Sequence, residues 1–318
     1  MESEVVLQAF LFLIGLGLLY FGAEGLVRGS SNLARALRIR PVIVGLTVVA
    51  FGTSAPELVV SLLAAARRSE ALAVGNIVGS NIANIGLILG LAALIRPLKF
   101  ERGLIKREVP MMLAASFLFY GFAWSGAIKR TFGGILFAGL LAFLLYSALM
   151  AREHPEEVQV LERELQKIQP PVSSPGKDWL LLLLGLGGLL GGAQLLVDSA
   201  VYFARTIGVG EGIIGLSLVA GGTSLPELAT SVVAALKRET EISVGNIIGS
   251  NLFNILAVVG LVSLVRPLPV EPSWLLVQFP VMLLLSLALL PIMWDHKITR
   301  WEGGLLLAAY LAFLAWLF

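Results

Sequence analysis

Two acids stand where acids are costly. Glu57 follows 16 uncharged residues counted from Pro41 and precedes nine more before Arg67, and Glu227 sits in a similar apolar stretch between Glu211 and Lys237. A charged acid at the centre of a membrane helix costs roughly 2.5–3.5 kcal/mol on insertion scales, so each marks a functional position that needs a partner. Neither stretch supplies a Lys or Arg close by.

The residues around the acids admit two readings. Ser54-Ala55-Pro56-Glu57 and Ser224-Leu225-Pro226-Glu227 each fit a capping box, with Ser at the N-cap, Pro in the first turn and Glu closing back onto the cap. On that reading the acids serve only the helix ends. A capping box in mid-membrane nevertheless requires an interrupted helix, and irregular backbone at that depth is tolerated only where it is buried or lines a cavity. Unwinding expected at residues 50–53 and 220–223 would free carbonyl oxygens beside the two carboxylates, and Thr53, Thr223, Ser54 and Ser224 add hydroxyls. An all-oxygen set suits a hard cation. With no Cys and no intramembrane His, zinc and copper are disfavoured.

A second motif follows each acid. Asn76, Ser80 and Asn84 recur at four-residue spacing and form a polar stripe on one helix face, and Asn246, Ser250 and Asn254 repeat it. These residues either line a pathway or hydrogen-bond neighbouring helices together. Gly75, Gly79 and Ala83 form an adjacent row of small residues that lets another helix come close.

The elements that position these residues follow from composition. The chain has 318 residues, 57% of them hydrophobic and only 14% charged, with a mean hydropathy of +0.89. A water-soluble globule is excluded. Apolar runs predict helices near 5–27, 41–66, 71–95, 108–125, 132–150, 179–204, 211–236, 241–265, 274–294 and 302–317, ten crossings in all. The acidic N-terminus lacks the cationic start of a cleavable signal, so the first run stays as a helix. A net charge of +2 with no basic run excludes a nucleic-acid footprint.

The two halves repeat at a constant offset of 170 residues: GTSAPELVVS (52–61) aligns with GTSLPELATS (222–231), and GNIVGSN (75–81) with GNIIGSN (245–251). Five crossings per unit is an odd number, so the second copy enters the membrane from the opposite side. The expected fold is therefore an all-α polytopic membrane protein of two inverted-topology five-helix repeats. The first unit spans 1–151 with its motifs in 45–97, and the second spans 179–318 with its motifs in 215–267. Between them, 152–178 reads as a solvated cytoplasmic linker. The loop cations Arg67, Arg68, Lys129, Arg130, Arg205 and Arg266 fall on the side of the N-terminus, and the other seventeen on the opposite side. That split places both termini outside and the linker inside.

Other residues carry less. Glu24 and Arg28 form a local pair near a helix end, and Asp198 lies near another. His154 and His296 fall in solvated loops, and Trp124, Trp179, Trp274, Trp294 and Trp301 read as interfacial anchors. No Walker loop, GxSxG elbow or HExxH is present, so no enzyme motif competes.

The paired GTS-x-PE and GN-x-x-GSN-x-x-N segments resemble the alpha repeats of the cation/calcium exchanger superfamily, especially its sodium/calcium exchangers. The resemblance implies that Glu57 and Glu227 bind Ca²⁺ together with the carbonyls of Thr53 and Thr223. It further implies that flanking Na⁺ sites use Ala50, Ser54, Ser80, Ala220, Ser224 and Ser250, with Asn84 and Asn254 as the central polar pair. Potassium-dependent relatives, and some archaeal exchangers, carry Asp where this chain has Asn254, so the resemblance implies that K⁺ is not co-transported, and the family pattern implies exchange of three Na⁺ for one Ca²⁺. The GNAAEH-like motif of the proton-coupled branch is absent. The expected protein is a minimal prokaryotic antiporter of the inner membrane, surrounded by lipid, functional as a monomer and without a cofactor. A Ca²⁺/H⁺ exchanger using the same acids is the alternative, because empty carboxylates can carry protons. A passive cation channel is the second.

Overall fold

The computed structural model describes residues 2–37, 39–67, 70–150, 175–207 and 220–317. Helix α1 (Glu2–Leu37) leads into a broken crossing: α2 (Pro41–Val44), the π-helical turn π1 (Gly45–Val49), α3 (Ala50–Thr53) and α4 (Ala55–Ala66). The rod bends by 40° between α3 and α4. Pro56 explains the position of the bend, because proline has no N–H for the preceding turn and favours the first turn of a new helix. Then come α5 (Glu70–Ala83), π2 (Asn84–Leu89), α6 (Gly90–Ile95), α7 (Arg102–Lys106), α8 (Glu108–Ala123) and α9 (Arg130–Met150).

The second half begins with α10 (Pro175–Thr206) and a second broken stretch, α11 (Ala220–Gly222) and α12 (Leu225–Leu236). It continues through α13 (Thr240–Phe253), π3 (Asn254–Val259), α14 (Gly260–Val265), α15 (Pro272–Leu276), α16 (Gln278–Ile292) and α17 (Arg300–Leu317). Among the described residues six helices are long and apolar enough to cross a membrane, and the bent pair is a seventh.

Burial sorts inner from outer helices. The apolar windows of Leu72–Ile95 and Thr240–Val265 are 72% and 89% buried, against 17% for α1 and 28% for α10. The two helices that carry the Asn-Ser-Asn stripes therefore form the centre, and α1 and α10 lie outside, with Phe10, Leu13 and Phe21 of α1 facing outward.

Glycine brings α1 and α10 backbone to backbone. A Cβ on Gly22 would lie 2.6 Å from Leu189 N and 2.8 Å from Gly185 O, and one on Gly192 would lie 2.7 Å from Leu19 N. Gly15 and Gly22 on one helix and Gly185 and Gly192 on the other are each seven apart, two turns along the same face.

Two short strand pairs tie the loops of one half to those of the other. Strand β1 (Leu98–Lys99) pairs antiparallel with β4 (Lys297–Ile298), and β2 (Ala127–Ile128) pairs with β3 (Leu268–Pro269).

Several expectations shift. Helix α1 continues to Leu37 instead of ending at 27, because Ser30, Ser31, Leu33 and Ala34 keep one face buried. Ser31 donates to Glu239 at 2.7 Å, and Asn32 donates to Asp178 at 2.9 Å. Asp178, expected in a solvated linker, is buried within α10, which already starts at Pro175. Residues 152–174 of that linker, with His154, and residues 211–219 of the expected 211–236 helix lie outside the described residues.

Trp124, Trp179, Trp294 and Trp301 are exposed, but Trp274 is half-buried and its ring fills the place a Cβ on Gly75 would need. His296 is half-buried in a left-handed turn at φ 62 instead of free in solvent. The segment from 108 to 125 and that from 274 to 294 are preceded by the short helices α7 and α15, the latter starting at Pro272.

Gly185→Leu must push α1 and α10 apart and is expected to lower the melting temperature of the purified protein, since overpacking costs about 1–3 kcal/mol or more. Gly187→Leu, at a position open on the same helix, is expected to leave it unchanged. Equal melting of the two variants in a thermal-shift scan contradicts the close packing.

Candidate functional site

Each acid sits in the first turn of a half-helix that starts deep in the protein. Ser54 (φ −83, ψ 5) and Ser224 (φ −85, ψ 3) are the break points, each followed by a helix with Pro in its first turn and Glu57 or Glu227 behind it. Both glutamates are fully buried. The N-terminal ends of α4 and α12 favour negative charge there.

The capping-box reading fails at this point. Neither serine caps its own helix. Ser54 Oγ instead donates to Glu227 Oε1 at 3.0 Å. Ser224 Oγ lies 3.3 Å from Glu57 Oε1 and 3.2 Å from Ser80 Oγ. Each acid is thus held by the serine of the other half.

The threonines cross in the same way. Thr53 Oγ1 donates to Asn246 Oδ1 and Thr223 Oγ1 to Asn76 Oδ1, both at 3.2 Å. Asn76 Nδ2 then donates to Ser61 Oγ at 3.1 Å and to the Glu57 carbonyl at 3.3 Å, while Asn246 Nδ2 donates to Ser231 Oγ at 3.0 Å. Asn84 and Asn254 reach across to Asn251 and Asn81. Apart from the bond of Asn76 to the Glu57 carbonyl, each of these contacts has a counterpart 170 residues away.

What remains unpartnered is informative. Glu57 Oε2, Glu227 Oε2, Asn84 Oδ1, Asn254 Oδ1 and Ser250 Oγ are buried with no hydrogen-bond partner. Among the described residues no salt bridge reaches either acid; the ion pairs join Glu24 to Arg28 and Lys237, Arg40 to Glu101 and Glu108, and Lys297 to Asp295. Buried polar groups are normally paired, and buried charges more so. Four of the five atoms are carboxylate or amide oxygens and the fifth is a hydroxyl, so the set can accept a hard cation. Among the described residues no cluster of three or more Asp, Glu, His or Cys forms, so two acids and neutral oxygens make up the site.

Two expectations need correction. Residues 50–53 are not unwound: Ala50–Thr53 is a short helix, and the Ala50 carbonyl accepts from Ser54 N at 3.0 Å, with Thr53 Oγ1 3.4 Å away. The irregularity lies instead in the π turn before it and at Ser54. In the second half Ala220–Gly222 is likewise helical. The row expected at Gly75, Gly79 and Ala83 does not bring a helix backbone close: a Cβ on Gly75 would meet the Trp274 ring and one on Gly79 nothing within 4 Å, whereas the matching glycines of the second copy do, Gly249 lying close to Leu46 O and Ala50 Cβ and Gly245 close to Val42 O.

Glu24 and Arg28 do pair, but Lys237 shares that acid at 2.6 Å, and Asp198 accepts from Gln194 at 2.9 Å on its own helix. Sequence reasoning missed Asn81, Asn251, Ser61 and Ser231, which stand off the four-residue stripe or inside apolar runs. Their repetition at the same offset was the available signal.

Comparison with known proteins gives the family. The family model described as sodium/calcium exchanger protein matches residues 7–149 and 177–318. The chain belongs to the sodium/calcium exchanger family. Within it, the chain is 40% identical over 310 residues to a putative antiporter, CaxA, of Alkalimonas amylolytica, covering 96% of this chain and 97% of that one. It is 34% identical to the sodium/calcium exchanger MaX1 of Methanosarcina acetivorans, with 99% of each chain covered. A solved structure of the sodium-calcium exchanger NCX_Mj superposes with a TM-score of 0.86 at 33% identity, covering 98% of both chains. The protein is thus a multi-pass membrane protein with the helical fold of this exchanger family.

If the two acids face each other without a counter-charge, neutralising them must stabilise the protein when no cation is present. The double variant Glu57→Gln/Glu227→Gln is expected to melt higher than the native chain in Na⁺-free buffer with chelator, by about 1–4 kcal/mol of stability. A lower melting point in the same scan contradicts the unpaired-acid geometry.

Proposed function

We propose that this member of the family is a secondary antiporter, not an enzyme, that exchanges Na⁺ for Ca²⁺ by alternating access. The observation that carries the reading is the pair of buried carboxylates, Glu57 and Glu227, each anchored by the other half and each with one oxygen left without a partner. Either one Ca²⁺ or several Na⁺ can complete that set. Without cations the facing charges oppose any passage through a closed, low-dielectric state, which makes coupled exchange possible and leak unfavourable.

In this proposal Ca²⁺ sits between Glu57 and Glu227 with the carbonyls of Thr53 and Thr223. Ala50, Ser54 and Ser80, with Ala220, Ser224 and Ser250, bound the Na⁺ sites, and Asn84 and Asn254 close the centre. Asn254 in place of an acid favours K⁺-independence. With three Na⁺ per Ca²⁺, a tenfold Na⁺ gradient supplies about 4.1 kcal/mol and 100 mV about 2.3 more. Together these hold Ca²⁺ more than about four decades from equilibrium.

Ten crossings in two inverted five-helix units remain the topology of this proposal. The strand pairs support it: the loops carrying β1 and β4 fall on one side of the membrane in that count, and those carrying β2 and β3 on the other. The loop cations then put both termini outside the cytoplasm and residues 152–174 within it, in the inner membrane. Helices α1 and α10, the least buried of the spans given above, are the elements that move. One chain contributes both acids, so a monomer suffices.

Proteoliposome flux separates the readings. Ca²⁺ uptake driven by an outward Na⁺ gradient at clamped pH and without K⁺ is the expected result. Uptake that follows only a pH gradient supports Ca²⁺/H⁺ exchange, and uptake without counter-flux supports a channel; either outcome overturns the proposal.

A further inference from the structure

Asparagine oxygen and nitrogen look alike to a packing argument, but a cation attracts one and repels the other. Whichever end of Asn84 and Asn254 faces the acids therefore decides whether these residues help or hinder ion binding. The stretches that begin at Asn84 and Asn254 pack against the helices of Glu227 and Glu57 respectively. Nothing in the two residues themselves fixes which end turns inward.

Their neighbours do. Asn254 Nδ2 donates to Asn81 Oδ1 at 3.1 Å, and Asn81 Nδ2 points to Met282 Sδ at 3.8 Å. The other half repeats the chain: Asn84 Nδ2 donates to Asn251 Oδ1 at 3.0 Å, and Asn251 Nδ2 points to Met112 Sδ at 3.7 Å. A thioether sulfur only accepts, so it selects the NH2 end of the outer amide. That end being taken, the outer amide turns its oxygen to the inner one, which must answer with NH2. The inner Oδ1 atoms of Asn84 and Asn254 are then left buried and unpartnered. All six residues of the two chains are at least 98% buried, so water does not scramble the order.

We propose that Met282–Asn81–Asn254 and Met112–Asn251–Asn84 are polarity relays that hold two amide oxygens, not two NH2 groups, toward the transported cation. Asn81 and Asn251 are accordingly positioning residues for ion binding, though they are one amide removed from the ion. The inference rests on the exchange function proposed above. It also explains why Asn81 and Asn251, one residue off the polar stripe, recur in both halves.

The test is a double-mutant cycle on purified full-length protein, reading the Ca²⁺ dissociation constant by calorimetry in Na⁺-free buffer. Asn81→Leu keeps the branched shape but removes the acceptor, which frees the Asn254 amide to turn over. It is expected to weaken Ca²⁺ binding about tenfold, or 1.4 kcal/mol. In an Asn254→Asp background there is no NH2 to turn inward, and the same change is expected to cost less than about twofold, or 0.4 kcal/mol. Met282→Leu, which keeps the core apolar and filled, runs the same cycle with a smaller loss and stands in if Asn81→Leu does not fold.

Equal losses in the two backgrounds, or no loss in the native one, overturn the relay while leaving the exchange reading intact. A native chain that binds no Ca²⁺ overturns both.

Discussion

Two fully buried carboxylates, each bonded to the serine of the opposite half and with no cationic side chain in reach among the described residues, are the constraint on which this protein is built. Left alone they would repel, and each has already lost its hydration. A serine from the opposite half satisfies one oxygen of each acid and leaves the other oxygen open. In the exchange reading proposed above, these open acceptor oxygens with their two acids suit a hard cation.

The rest of the fold keeps that centre in register. Proline-led helix starts place the acids at two mid-protein breaks; the threonines behind them bond to asparagines of the opposite half, and those asparagines bond to serines of their own half, at matching positions. The π turns at Gly45–Val49, Asn84–Leu89 and Asn254–Val259 lie on the same helices, a device common at functional positions. Farther out, strand pairs hold loops together and a glycine-lined contact joins the two outer helices. Small side chains there permit backbone contact without interlocking knobs, a geometry suited to elements that slide.

Much of this was legible in the residues. The repeat at a constant offset gave the pairing of Glu57 with Glu227, because an intramembrane acid needs an explanation and two at matched positions need a common one. The Asn-Ser-Asn stripes gave the innermost helices. What periodicity could not give was direction. Ser54 reads as a local cap, yet its hydroxyl crosses to the other half, since only the tertiary fold brings a charged acceptor within reach. Residues 50–53 read as unwound because a break was required somewhere; the chain instead uses a π turn and a single break at Ser54. Asn81 and Asn251 escaped because a four-residue stripe excludes the next residue along, and only packing reveals that the neighbouring face is polar as well. Helix α1 ran on past its expected end because the charged residues there sit on one side of a helix whose other side is buried.

The central claim is that Glu57 and Glu227 share one bare divalent ion. Anomalous scattering from crystals of the native protein grown with Ca²⁺ tests it most directly. The account predicts a single peak in the protein interior within about 2.3–2.6 Å of an oxygen from each glutamate. A peak held by only one of the two acids, or carboxylates found apart and turned away from each other, would contradict it.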